Sequence, residues 1–122
     1  MTLQLLNICK RIRNNLIIDS LNLEVKEGEC ISILGPSGCG KSTTLRLIAG
    51  LDKLTSGKII LNNKEITTIP PFKRNIGMVF QSYALFPHLT VYNNLAIGLQ
   101  IRNYPPKEIF ARVSSCLITL KI

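Results

Sequence analysis

The sequence has no tryptophan, a single histidine and an aromatic content of only 6% over its 122 residues. It also lacks any CxxC pair, since Cys9, Cys30, Cys39 and Cys116 stand singly. That spacing excludes a zinc ribbon and does not resemble a disulfide framework, so reduced cytosolic thiols are expected. No apolar run approaches the ~18–20 residues needed to cross a bilayer. The first cations, Lys10, Arg11 and Arg13, follow the initial apolar stretch instead of preceding it, the reverse of a signal peptide. Acidic residues are scarce, 7 against 15 Lys and Arg, giving a net charge of +8. The cations are scattered and aromatics are few, so the basic balance alone does not point to nucleic acid. What the chain does have is apolar side chain, 46% of its residues. That excludes a disordered polyelectrolyte and fits one small domain with a core.

Apolar patterning predicts strands over Leu3–Cys9 and Leu16–Val25, then a turn at Lys26–Glu29 built on Gly28. Cys30-Ile-Ser-Ile-Leu34 is a nearly continuous apolar run, the pattern of a strand buried on both faces of a parallel sheet. Gly35 to Gly40 breaks that run. A helix is expected from Lys41 to Ala49, with Leu45, Ile48 and Ala49 at helical spacing and Gly50 placed to end it. Lys58–Leu61 and Glu65–Ile66 flank Asn62-Asn63 as a hairpin. A second buried-type strand, Ile76–Phe80, follows Pro70-Pro71, with Met78, Val79 and Phe80 as strand core. A helix capped by Thr90 is expected over Thr90–Arg102, and a last one over Lys107–Leu120 after Pro105-Pro106. Lys10, Arg11 and Arg13 read as a solvated stretch.

One segment carries chemistry. Gly35-Pro36-Ser37-Gly38-Cys39-Gly40-Lys41-Ser42-Thr43 satisfies G-x-x-x-x-G-K-[ST] in a strand–loop–helix context. Glycines let the backbone curl so that successive N–H groups face phosphate oxygens. The helix that starts there adds its unpaired N–H groups and the positive end of its dipole. Lys41 is placed to reach the β- and γ-phosphates, and the Ser42 hydroxyl to ligate Mg²⁺. These residues read as a nucleotide phosphate site. Cys39, lying inside the loop, is expected to be the most reactive of the four thiols.

Gly35–Thr43, Thr44-Leu-Arg-Leu-Ile-Ala-Gly-Leu51 and Thr55-Ser-Gly57 together resemble the ATP-binding subunit of ABC transporters. The resemblance continues through Ile69–Val91, which is similar to importers of the sugar, polyamine, sulfate and ferric-iron type. It implies an α/β P-loop NTPase fold of the ABC type: an antiparallel β lobe on a parallel core sheet, with residues 1–122 as the N-terminal part of one ATP-binding domain. It implies ATP and Mg²⁺ as ligands and coupling of ATP hydrolysis to solute uptake. It also implies transmembrane permease subunits and a second ATP-binding subunit as partners, on the cytoplasmic side of the membrane. Gln81 matches the family's Q-loop glutamine, which touches Mg²⁺ and the attacking water. His88 does not match the family's switch histidine and is expected to be a structural loop residue. Tyr83 and Phe86 are candidates for the surface that receives a membrane subunit.

Two departures qualify what the resemblance implies. Residues 1–122 contain no LSGGQ motif, no acidic strand with a catalytic Glu and no switch His, so a nucleotide-binding remnant without ATPase activity is the alternative reading. A nucleotide kinase would leave the Gln81 block unexplained. The family also stacks adenine on an aromatic side chain before the loop, where this sequence has Ile12 and no aromatic residue until Phe72.

Overall fold

The computed structural model describes residues 2–82 and 84–121, and the chain divides into two compact units, Met1–Met78 and Val79–Ile122. In the first unit β1 (Leu3–Ile12) and β2 (Asn15–Val25) form a long antiparallel hairpin. β3 (Ser56–Leu61) pairs with the other edge of β1, and β4 (Lys64–Glu65) with β3, giving the order β2-β1-β3-β4. The β3–β4 turn is the expected one. Asn62 and Asn63 both take positive φ (49° and 62°), the geometry that a two-residue hairpin loop demands and that asparagine tolerates. One face of this sheet buries Leu5, Ile8, Ile18 and Ile59 against Leu47 of α1 (Lys41–Ala49). Truncating a fully buried member such as Leu5 or Ile59 to Ala should cost about 2–5 kcal/mol. Of the expected inward positions of α1, Ala49 is buried and Ile48 packs against the core, whereas Leu45 is half exposed and Thr44 and Leu47 complete the buried face.

In the second unit Thr90 caps α2 (Val91–Ile101), its hydroxyl oxygen accepting from the Asn93 amide at 3.2 Å. α2 packs on α3 (Pro106–Leu120) through Ala96, Ile109 and Val113, with Tyr92, Leu95, Leu99 and Leu117 around them. This is the single packed face expected of 90–102.

The antiparallel lobe and the helices follow the expected fold, but two strands do not. Neither 30–34 nor 76–80 is a strand, and neither pairs with another segment among the described residues. Ile31, Ile33 and Leu34 are exposed; Val79 is 98% exposed and Phe80 42%, so they are not strand core. The reason is edge pairing. A strand buried on both faces needs neighbours along its edges, and among the described residues no strand lies beside either segment. A second correction concerns Lys10. Its ammonium is not solvated but donates to Asp52 at 2.6 Å and to the Lys53 carbonyl at 2.7 Å, whereas Arg11 and Arg13 are exposed.

Candidate phosphate-binding site

Residues 35–39 form an exposed turn that runs into buried Gly40, the residue before α1. Gly40 takes φ 94°, a left-handed conformation that swings the chain into the helix. The Thr44 amide and hydroxyl both reach the Gly40 carbonyl, at 2.8 and 3.0 Å, and lock the first turn. The amides of Lys41, Ser42 and Thr43 precede the first intrahelical bond, so geometry gives them no acceptor inside the helix. They sit at the positive end of its dipole.

The Lys41 side chain folds back over the loop. Its ammonium donates to the Gly35 carbonyl at 2.8 Å and the Pro36 carbonyl at 2.7 Å, and lies 3.6 Å from the Cys39 sulfur. The charge is thereby held at the mouth of the loop by two neutral oxygens, which an anion outcompetes. Gly35, Pro36, Ser37, Gly38, Cys39, Gly40, Lys41, Ser42 and Thr43 are thus brought into one loop–helix unit.

Gln81 lies in a bend of the second unit and is exposed. His88 is exposed in a turn, edge-on to Phe86 at 6.0 Å between ring centroids. Tyr83 lies outside the described residues. At the tip of the β1–β2 hairpin, Ile12, Arg13, Asn14, Asn15 and Ile17 line a hollow of about 660 Å³. The same hairpin touches the phosphate loop, because Ile17 and Ile18 pack on Gly40.

Two residues escaped the sequence reading. Arg74 is only 5% exposed and donates to four backbone carbonyls, those of Leu47, Ile48, Ile69 and Thr67, at 2.7–3.0 Å. Burial draws its pKa below the usual value for arginine. Asn94 accepts from the Phe86 amide at 2.8 Å and donates to the carbonyls of Phe86, Leu89 and Thr90, so one side chain fixes the His88 turn. Neither stands out in the sequence, since Arg74 lies between Lys73 and Asn75 and Asn94 follows Asn93. The Cys9 thiol is also held below its usual pKa, first by the Ser20 amide and then by the Ser56 and Ser20 side chains.

The family model described as ABC transporter matches residues 18–122. This chain belongs to the ABC transporter family. It is 50% identical over 111 residues to the Fe(3+) ions import ATP-binding protein of Photobacterium profundum, covering 91% of this chain and 32% of that protein. It is 51% identical over 115 residues to the spermidine/putrescine import ATP-binding protein of Haemophilus influenzae, covering 94% of this chain and 31% of that one. The chain therefore spans about a third of the length of these curated relatives. A solved dimeric bacterial ABC transporter cassette superposes with a TM-score of 0.84 at 34% identity, covering 98% of this chain and 57% of the cassette. A second structure of that cassette, in a post-hydrolysis state bound to ADP and Pi, gives 0.83 with the same identity and coverage. The fold is that of an ABC-type P-loop ATPase domain. Among the described residues no helix is long and apolar enough to cross a membrane.

Proposed function

We propose that this chain is the nucleotide-gripping part of an ABC importer's ATP-binding subunit, coupling ATP to solute uptake. The observation that carries this reading is the Gly35–Thr43 loop: a left-handed turn into α1, open helix-terminal amides, and Lys41 poised over the loop carbonyls. In this reading Lys41 neutralises the β- and γ-phosphates and the loop amides cradle them.

The oxygen donors suit Mg²⁺: Ser42 offers a hydroxyl oxygen and Gln81 an amide oxygen. Mg²⁺ takes few protein ligands and completes its shell with phosphate and water. Ser42 would hold the ion, and Gln81 would join it and orient the attacking water. Permease subunits and a second ATP-binding subunit are the partners, with the chain peripheral on the cytoplasmic face of the membrane.

Titration with MgATP tests the reading. Loss of the charged Lys41 contact should cost ~1.5–3 kcal/mol, so Lys41→Ala should bind at least tenfold more weakly. Equal affinity would sink the assignment. The alternative, a binding remnant without turnover, is compatible with the same relatives, of which the chain spans about a third. Phosphoryl transfer needs a positioned water and neutralised γ-phosphate charge, so this stretch by itself should release little phosphate. Robust, Lys41-dependent release by the purified chain would overturn the remnant reading.

A further inference from the structure

Arg74 presents an electrostatic puzzle. A guanidinium that is 5% exposed should have a carboxylate partner, because an uncompensated buried charge is costly, yet Arg74 donates to four backbone carbonyls. Two of them, Leu47 and Ile48, are among the last carbonyls of α1, where the helix dipole concentrates negative charge. Gly50 makes the approach possible. A Cβ at that position would lie 2.5 Å from the Arg74 Nε. The other two acceptors, Thr67 and Ile69, lie on the segment that follows β4. One planar group therefore ties the end of α1 to a neighbouring stretch of chain.

That helix has only nine residues, and its opposite end is the phosphate loop. A rod about 13–14 Å long transmits a displacement of one end to the other. We propose that Arg74 is a positioning residue for phosphate binding: by gripping the C-terminal carbonyls of α1 it sets where Lys41, Ser42 and Thr43 present themselves to the nucleotide. Lysine would keep the charge but not the fork, since one ammonium with three donors cannot span four carbonyls in a plane. The proposal rests on the nucleotide-binding reading above.

The test is Arg74→Lys, alone and combined with Lys41→Ala. Far-UV circular dichroism first establishes a temperature at which each variant is folded. In MgATP titrations Arg74→Lys should bind about tenfold more weakly than wild type. In the Lys41→Ala background the same change should cost only about threefold, because one of the groups it positions is gone while Ser42 and Thr43 remain. Independent, additive losses would overturn the proposal. So would a folded Arg74→Lys with wild-type affinity, or an Arg74→Lys chain that does not fold, which would make the guanidinium purely structural.

Amide exchange without nucleotide gives a second readout. Positioning requires faster exchange at Thr44, whose amide donates to the Gly40 carbonyl at the far end of the helix, with Leu5 and Ile59 unchanged. Acceleration confined to Gly50 and Leu51, beside the guanidinium, or spread evenly over the sheet, overturns the proposal. Should wild type show no Lys41-dependent MgATP binding, the proposed function fails, and the exchange result alone decides the role of Arg74.

Discussion

Gly40 and Ile17 lie so close that a Cβ on the glycine would stand 3.1 Å from the Ile17 carbonyl oxygen and 3.3 Å from the Ile18 side chain. The phosphate loop is therefore braced against the β1–β2 hairpin. Gly40→Ala meets two penalties, this crowding and a φ of 94° that costs a residue with a Cβ roughly 1–2 kcal/mol. The variant should melt at a lower temperature and bind MgATP at least tenfold more weakly. A variant with unchanged melt and affinity would show that the loop does not rest on the hairpin.

How much of this was legible in the sequence differs by element. Helix ends and turns were readable because local chemistry decides them. Thr90 caps α2, Gly50 ends α1, and Asn62-Asn63 turns the β3–β4 hairpin. The turn from Gly35 into α1 was readable because its glycines and lysine have fixed spacing. The strands 30–34 and 76–80 were misread because apolar runs report only a demand for burial, and pairing decides whether a strand forms. Arg74 and Asn94 were missed since their partners are backbone carbonyls distributed along the chain, which leave no mark on side-chain patterns.

Cysteine labelling probes the loop directly. Cys30 and Cys39 are both exposed, whereas Cys9 and Cys116 are half-buried. Only Cys39 has the Lys41 ammonium 3.6 Å away, a charge that draws in an anionic reagent. Iodoacetate should therefore modify Cys39 fastest, and MgATP should slow that site while leaving Cys30 unaffected. Equal protection of the two by nucleotide, or labelling spread evenly over all four thiols, would mean the loop is not formed as described.

Base selectivity should be weak. The hollow at the tip of the β1–β2 hairpin is lined by Ile12, Arg13, Asn14, Asn15 and Ile17, with no aromatic ring to stack on. Base–aromatic stacking is worth ~1–3 kcal/mol, so its absence leaves affinity to the triphosphate. ATP and GTP should bind within a few-fold of each other, and Ile12→Tyr should tighten ATP about tenfold. A strong wild-type preference for ATP combined with no effect of Ile12→Tyr would place the base elsewhere.

The Lys10–Asp52 pair makes stability depend on acid. Asp52 accepts from Lys10 at 2.6 Å and from the Lys53 amide at 3.0 Å, with the Lys10 bond the main cause holding its pKa below the usual carboxylate value. The folded value lies below the unfolded one of ~3.9. The contribution is therefore complete above that pH and disappears as pH falls through the folded value. Asp52→Asn should lose on the order of 1 kcal/mol at neutral pH, the scale of a partly exposed pair. Urea melts should show the gap between the two proteins closing below about pH 4. A gap that persists at pH 2 would assign the loss to something other than the ion pair.

The unpaired apolar segments should govern solubility. Leu34 is 88% exposed and Val79 98%, and each sits in a β-prone run with no strand beside it among the described residues. Runs of that kind recruit other chains through their open backbone edges. A charge on the exposed position should interrupt that pairing while touching little inside the fold, because such surface changes usually stay within about 0.5 kcal/mol. Val79→Lys should therefore raise the concentration at which light scattering appears, with the melting temperature held within a few degrees. Leu34→Lys should act in the same direction, though its position next to Gly35 requires MgATP affinity to be checked alongside. A sharp drop in melting temperature for Val79→Lys would show that the side chain is buried in solution, and that the segment is paired after all. If scattering did not change in either variant, aggregation would have to start elsewhere, with the exposed Phe110 and Ile118 of α3 the next surface to alter.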